Sequence, residues 1–274
     1  MSKKITEYSQ ITKLDNNHVF LVDGNTGTKT ILAADAILEM LSLISPQVHQ
    51  AIFRGKSLGS SLTDAQKTAI QDGSFDDIFL GDYWTINGTI YRVADFDYWL
   101  RCGDVDFTRH HLVIVPDTNM YTHVMNDTNT TEGGYAGSKM YTEGLTEAKS
   151  RINAAFGDAV LTHREYLVDA VTNGKPSGGA WFDSTVELMN ENMMYGCKIF
   201  GAVSDGSTVP NNYTIDKSQL ALFRAVPRFA HNHQWSWLRD VVSGSLFACV
   251  RNFGSSNYYG ASYAGGVRPV FAIG

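Results

Sequence analysis

Cysteine is scarce in this chain: Cys102, Cys197 and Cys249 are the three in 274 residues, and they lie far apart. An odd, sparse set does not make a disulfide framework, so the sequence predicts folding in a reducing cytoplasm. Charge is thin as well. Only 18% of residues are charged, below the usual quarter, so much of the surface must be neutral and polar. With 22 Lys+Arg against 28 Asp+Glu, the net charge of -6 argues against an electrostatic nucleic-acid binder. No apolar run approaches the length of a membrane span, and Met1-Ser2-Lys3-Lys4 leads into polar sequence. Neither membrane insertion nor a signal peptide is expected.

Enzyme motifs are missing too. Gly55-Lys56-Ser57 looks like the end of a phosphate loop, but Gln50 stands where glycine is needed and no strand precedes it. There is no zinc-binding H-E-x-x-H and no paired C-x-x-C. Asp95-x-Asp97 and Asp104-x-Asp106 do not continue as calcium loops. His110, His111 and His163 lack a neighbouring nucleophile or carboxylate constellation and read as structural residues. The expectation is a protein that is not an enzyme, with no cofactor and no metal.

What is present is a 43% hydrophobic chain, enough for a substantial core. Residues 19–22 and 28–32 read as a hairpin around Asp23-Gly24-Asn25-Thr26-Gly27, followed by a helix over 33–41 that stops before Pro46. Thr63-Asp64-Ala65-Gln66 fits a capping box opening a second helix. Asp72-Gly73-Ser74 then punctuates the chain, which predicts two domains, 1–75 and 76–274. Residues 83–93 read as a hairpin turning on Asn87-Gly88, and 111–116 as a buried strand. Helices are expected over 142–156 and 184–194, and strands over 246–250 and 267–273. Mixed elements without strict strand–helix alternation give an α+β class.

Residues 251–266 have almost no aliphatic core formers and no charge except Arg251, so they predict a surface loop or edge hairpin. Their tyrosine, serine, glycine and asparagine form the composition of evolved binding loops. Residues 235–274 also contain no Lys, Glu, Gln or Met, where roughly six would be expected at the frequency of the preceding chain. Randomising both adenines of an AAC codon gives NNC, which encodes none of these four types and does encode Asn, Tyr, Ser, Gly, Arg, Phe, Cys and Leu.

Trp237-Leu238-Arg239-Asp240-Val241-Val242-Ser243, then Phe247-Ala248, and Gly266-Val267-Arg268-Pro269-Val270-Phe271 resemble a C-terminal signature. It is that of variable proteins diversified by diversity-generating retroelements in phages and prophages of gut bacteria. Residues 110–117, 130–135 and 214–223 look like gut-phage members of that group, and the likeness covers about residues 78–274. It implies a C-type lectin-like domain over 76–274, of the formylglycine-generating-enzyme variety, with a variable region at about 231–265. Residues 19–35 resemble the attachment or trimerisation modules that begin phage tail fibres. A small N-terminal hairpin-plus-helices domain over 1–75 is therefore expected to assemble a homo-oligomer, such as a trimer.

Carried over by position, the variable ligand-binding residues would be His231, Asn232, His233, Ser236, Leu246, Cys249, Arg251, Asn252, Phe253, Ser255, Asn257, Tyr258, Tyr259, Gly260, Tyr263 and Gly265. Trp237, Arg239, Asp240, Phe247, Gly254, Arg268 and Pro269 would be their fixed framework. The calcium-dependent sugar triplets of true C-type lectins and the paired C-terminal cysteines of the formylglycine-generating enzymes are absent. The resemblance thus implies a virion tail protein, made in the bacterial cytoplasm, that binds a host-cell surface protein or glycan and joins other tail proteins. The alternative is a structural tail decoration with no variable ligand; an enzyme using His110, His111 or Cys197 ranks third.

Overall fold

A computed structural model describes residues 19–24, 27–32, 37, 40–41, 47–202, 219–230 and 232–274. The chain divides into two compact units, Met1–Val48 and His49–Gly274. In the smaller, β1 (Val19–Gly24) and β2 (Gly27–Leu32) form the antiparallel hairpin that the sequence predicts, with Val19 opposite Leu32. The predicted helix over 33–41 falls mostly outside the described residues; Ile37, Met40 and Leu41 are helical and exposed.

The division falls at 48/49, earlier than the predicted 75/76. Residues 49–75 belong to the larger unit because Ile70 and Phe75 enter its core and the Trp84 indole donates to Gln66 Oε1 at 3.1 Å. Asp72-Gly73-Ser74 is the exit turn of a helix and no linker: Asp72 caps it and Gly73 takes φ 75°.

In chain order the larger unit begins with α1 (Val48–Ala51), whose first residue falls in the smaller unit, β3 (Ser57–Gly59) and α2 (Asp64–Gln71). The α2 start follows the predicted capping box, Gln66 N donating to Thr63 Oγ1 at 3.2 Å and Thr63 N to Gln66 Oε1 at 3.1 Å. Then come β4 (Tyr83–Ile86), β5 (Thr89–Phe96), β6 (Leu112–Pro116) and β7 (Tyr121–His123). Asn87 and Gly88 adopt φ 50° and 79°, the left-handed pair that a tight hairpin turn demands. The predicted helix over 142–156 is α3 (Thr146–Phe156), entered through a short π-helical turn.

A second Asn-Gly turn, Asn173-Gly174 at φ 52° and 73°, joins β8 (His163–Thr172) to β9 (Lys175–Ser184). The helix predicted over 184–194 is instead β10 (Val186–Leu188) followed by α4 (Glu191–Tyr195). Val186 pairs with a C-terminal strand, and Asn190 restarts the chain as helix by accepting from Met193 N at 2.7 Å. Beyond α5 (Ala221–Ala225) lie β11 (Ser236–Val241), β12 (Leu246–Val250), β13 (Ser256–Gly260), β14 (Gly265–Val267) and β15 (Pro269–Ile273). The larger unit is thus mixed helix and sheet, mostly β, an α+β arrangement.

Two sheets organise it, in the orders β10-β15-β6-β5-β4-β3 and β13-β12-β11-β14-β7. The last strand, β15, is internal, with Phe271 opposite both Val186 and Ile114. Its aliphatic run is buried at every position because both neighbours and both faces cover it. In the main core Tyr91 packs edge-on against Phe156, 5.2 Å away at 81°, and against Phe271, while Phe156 and Phe271 are tilted to each other. Each such ring contributes roughly 1.5–3 kcal/mol by burial. A second cluster, with Met125, Tyr135, Trp237, Phe247 and Cys249, lies on one face of the second sheet.

Candidate ligand-binding site

The fixed residues of the C-terminal signature are buried. Trp237 is sealed in the second cluster, its indole donating to His123 O at 3.0 Å. Arg239 pairs with Glu165, both buried, and the Trp99 indole donates to the same carboxylate at 2.8 Å. Burial alone would raise the Glu165 carboxyl, but the Arg239 guanidinium overrides it and holds the group at about 2. Asp240 Oδ2 accepts from Glu191 N at 2.7 Å, and Arg268 donates to Pro116 O at 2.8 Å and Phe229 O at 2.9 Å.

Glu191 braces the segment above this frame. Its carboxylate accepts from Ile199 N and Gly201 N at 2.8 Å each and from Ser256 Oγ at 2.6 Å. The Tyr195 hydroxyl donates to Gly254 O at 3.0 Å, and Gly254 takes φ 81° to close a turn on Arg251 O. Residues 251–256 are therefore held from beneath, while the side chains of Arg251, Asn252, Phe253 and Ser255 are exposed.

The residues expected to be variable divide by position. His233, Arg251, Asn252, Phe253, Ser255, Tyr258 and Tyr263 are exposed, and Asn232, Leu246, Asn257 and Tyr259 half-buried. His231 lies outside the described residues. Ser236, Cys249, Gly260 and Gly265 are buried and present no side chain to solvent, contrary to the expectation. Cys249 faces the second cluster, and burial pushes its thiol up to about 12. A Cβ on Gly265 would sit 2.3 Å from the Trp235 ring, and one on Gly260 2.4 Å from Asn129 Oδ1.

Four of the exposed members, His233, Arg251, Asn252 and Phe253, and half-buried Tyr259 border an open groove of about 740 Å³. His233, Arg251, Asn252, Phe253 and Tyr259 form one side, and Asn119, Tyr121 and Thr122 the other, with Gln234, Trp235 and Gly266 between them. Pairing delivers the far wall: Ser236 lies opposite Gly266 in parallel, and Gly266 opposite Thr122. No local pattern in the sequence marks residues 119–122 for this place. An aromatic series runs outward from the core, Trp237 to Trp235 at 5.1 Å, Trp235 to Tyr259 at 5.2 Å and Tyr259 to Tyr263 at 5.8 Å.

The residues considered for catalysis are dispersed or occupied. His110 Nδ1 meets Asp97 Oδ2 at 2.7 Å, His111 Nε2 accepts from Trp99 N at 3.1 Å, and Cys197 is exposed. Asp95 accepts backbone protons from Ala221 and Phe96, and Asp104 binds Arg164. Gly55-Lys56-Ser57-Leu58-Gly59 fits G-x-S-x-G, contrary to the expectation that the chain has no such motif; Ser57 is exposed on an edge strand, its Oγ accepting from Gly59 N at 3.4 Å. Among the described residues no group of three His, Cys, Asp or Glu could hold a metal ion.

No protein-family model, curated protein or solved structure matches this chain.

Proposed function

We propose that this chain is a non-enzymatic, phage-encoded binding protein whose C-type lectin-like domain is diversified by a retroelement to recognise a host-cell surface protein or glycan. One observation carries the reading. Within the segment that lacks Lys, Glu, Gln and Met, the framework residues Trp237, Arg239, Phe247 and Arg268 are buried, while Arg251, Asn252, Phe253 and Tyr259 line the groove. A rigid frame under exchangeable side chains is what a repertoire of binding surfaces requires. The tyrosines add rigid contact area at little entropic cost.

Display on a virion tail fits the resemblance of residues 19–35 to tail-fibre modules, and multiple copies would add avidity. Exposed Ile37, Met40 and Leu41 give the smaller unit apolar side chains that association with like copies would cover. The test is deep sequencing of the 3′ end of the gene in a phage population that carries it. Substitutions confined to template adenines, concentrated at the codons of exposed groove residues, support the reading. A uniform 3′ end sinks active diversification there and favours a structural tail role.

A further inference from the structure

We infer that Asn232 is a positioning residue and not a ligand contact: with Asn119 and Gln234 it sews residues 232–235 onto residues 117–119 and sets the groove in its binding shape before a ligand arrives. The inference rests on the groove being the ligand-binding site and adds how that site is held.

Four hydrogen bonds make the seam. Asn232 Nδ2 donates to Asp117 O at 3.2 Å, Asn119 N to Gln234 Oε1 at 2.7 Å and Asn119 Nδ2 to Trp235 O at 3.0 Å. The fourth runs from Gln234 N to Asn232 Oδ1 at 3.1 Å and closes the turn that carries His233. The first three join residues 115 or 116 positions apart, so neither segment finds this geometry by its own local preference. Gly266 belongs to the same device, because a Cβ there would collide with the Asn119 amide and sit 2.7 Å from Trp235 O. Asn232 is half-buried and does not line the groove, whereas His233, Gln234 and Trp235 do. Its effect on a ligand therefore passes through them.

Two local costs mark the seam as more than packing. His233 takes φ 59°, in the left-handed region that side-chain-bearing residues seldom occupy. Asn119 Oδ1 is buried with no hydrogen-bond partner among the described residues. Strained backbone and unsatisfied buried atoms persist where surrounding bonds over-determine them, and they gather at binding sites. Both lie at the groove, His233 on one side and Asn119 on the other. A wall already ordered in the free protein loses little entropy when a ligand binds, which raises affinity without adding a contact. The seam uses no side chain from residues 251–259, so exchange at those positions leaves it in place.

The experiment compares the full wild-type chain with Asn232→Ala in three readouts: titration onto intact cells of the propagating strain, hydrogen exchange at the amides of residues 233–235, and urea unfolding. Affinity is expected to fall about tenfold and exchange at 233–235 to rise by about the same factor, as the binding-ready form becomes less populated. Exchange in β5, β6 and β15 should stay unchanged. A merely structural residue would instead move the urea midpoint and leave the affinity of folded molecules as it was. Asn119→Ala attacks the seam from its other side and is expected to give the same local exchange signature. Affinity within about twofold of wild type, or unchanged exchange at 233–235, overturns the inference and leaves the receptor-binding reading standing. Loss of cooperative unfolding in both variants also overturns it, since the seam would then serve the fold alone. If wild type itself does not bind the cells, the receptor-binding reading falls and the positioning role falls with it.

Discussion

Tyr258 and Tyr259 are neighbours in β13 and face opposite ways. The Tyr259 ring centre lies 5.2 Å from that of Trp235 at the groove, and the Tyr258 ring centre 5.1 Å from that of Phe200. The two-residue period of a strand sends successive side chains to opposite faces, so adjacent aromatics serve two surfaces. Tyr259→Ala is expected to weaken groove binding by about tenfold or more, since it removes an aromatic wall. Tyr258→Ala should change it by less than about twofold and cost under about 1 kcal/mol in stability, because the ring is 40% exposed. Titration of each variant with the groove ligand, beside urea unfolding, checks both.

Gly265 and Phe253 test which positions tolerate exchange. Gly265→Ala puts a methyl carbon 2.3 Å from the Trp235 ring and 2.7 Å from Trp237 Nε1, so a loss of about 1–3 kcal/mol is expected. Phe253 is 70% exposed, and Phe253→Ser should stay within about 0.5 kcal/mol of wild type. Denaturant midpoints for the two would come out equal if the Trp235 ring could swing aside freely.

Glu165 and Glu187 are both buried yet should give opposite pH slopes. Glu165 titrates at about 2 when folded, below its unfolded value, so its stabilisation is present above the unfolded pKa and is lost as pH falls through about 2. Wild type should match Glu165→Gln near pH 2 and exceed it by about 3 kcal/mol at neutral pH. Burial raises the Glu187 carboxyl, although the Ser184 hydroxyl, Arg239 and the Tyr135 hydroxyl oppose it. Its folded state therefore holds the proton longer, and stability falls as pH rises from the unfolded value through the raised folded one. Glu187→Gln should match wild type in acid and overtake it as pH rises. Urea midpoints across a pH series read both signs.

Association should respond to the smaller unit. Replacing the exposed Ile37, Met40 and Leu41 with serine is expected to lower the mass of the full chain in light scattering from a multimer to a monomer, with the larger unit still folded. A wild type that is monomeric at every concentration would remove the assembly role.

Local signals carried far. The capping box at Thr63, the Asn87-Gly88 turn and the apolar run of β6 each name a short-range conformation, and each is found where the residues specify it. The helix expected over 184–194 failed because short apolar runs fit either period, and pairing with β15 decided for strand. Asn173-Gly174 is a local turn signal for the β8–β9 hairpin of the same kind as Asn87-Gly88. For the groove, composition pointed to Arg251–Tyr259 but not to Asn119–Thr122. That wall depends on β7 pairing with β14 across more than a hundred residues, information that no window of sequence contains.

That two-sided construction bears on any library built in this scaffold. Randomising positions 251–259 would alter one bank of the groove, while Asn119, Tyr121 and Thr122 stayed as a common floor plan for every clone. Such a collection would sample dialects of one chemical language: affinities among related polar ligands would diverge widely, and clones adapted to wholly apolar targets would be rare unless the opposite bank were recoded as well.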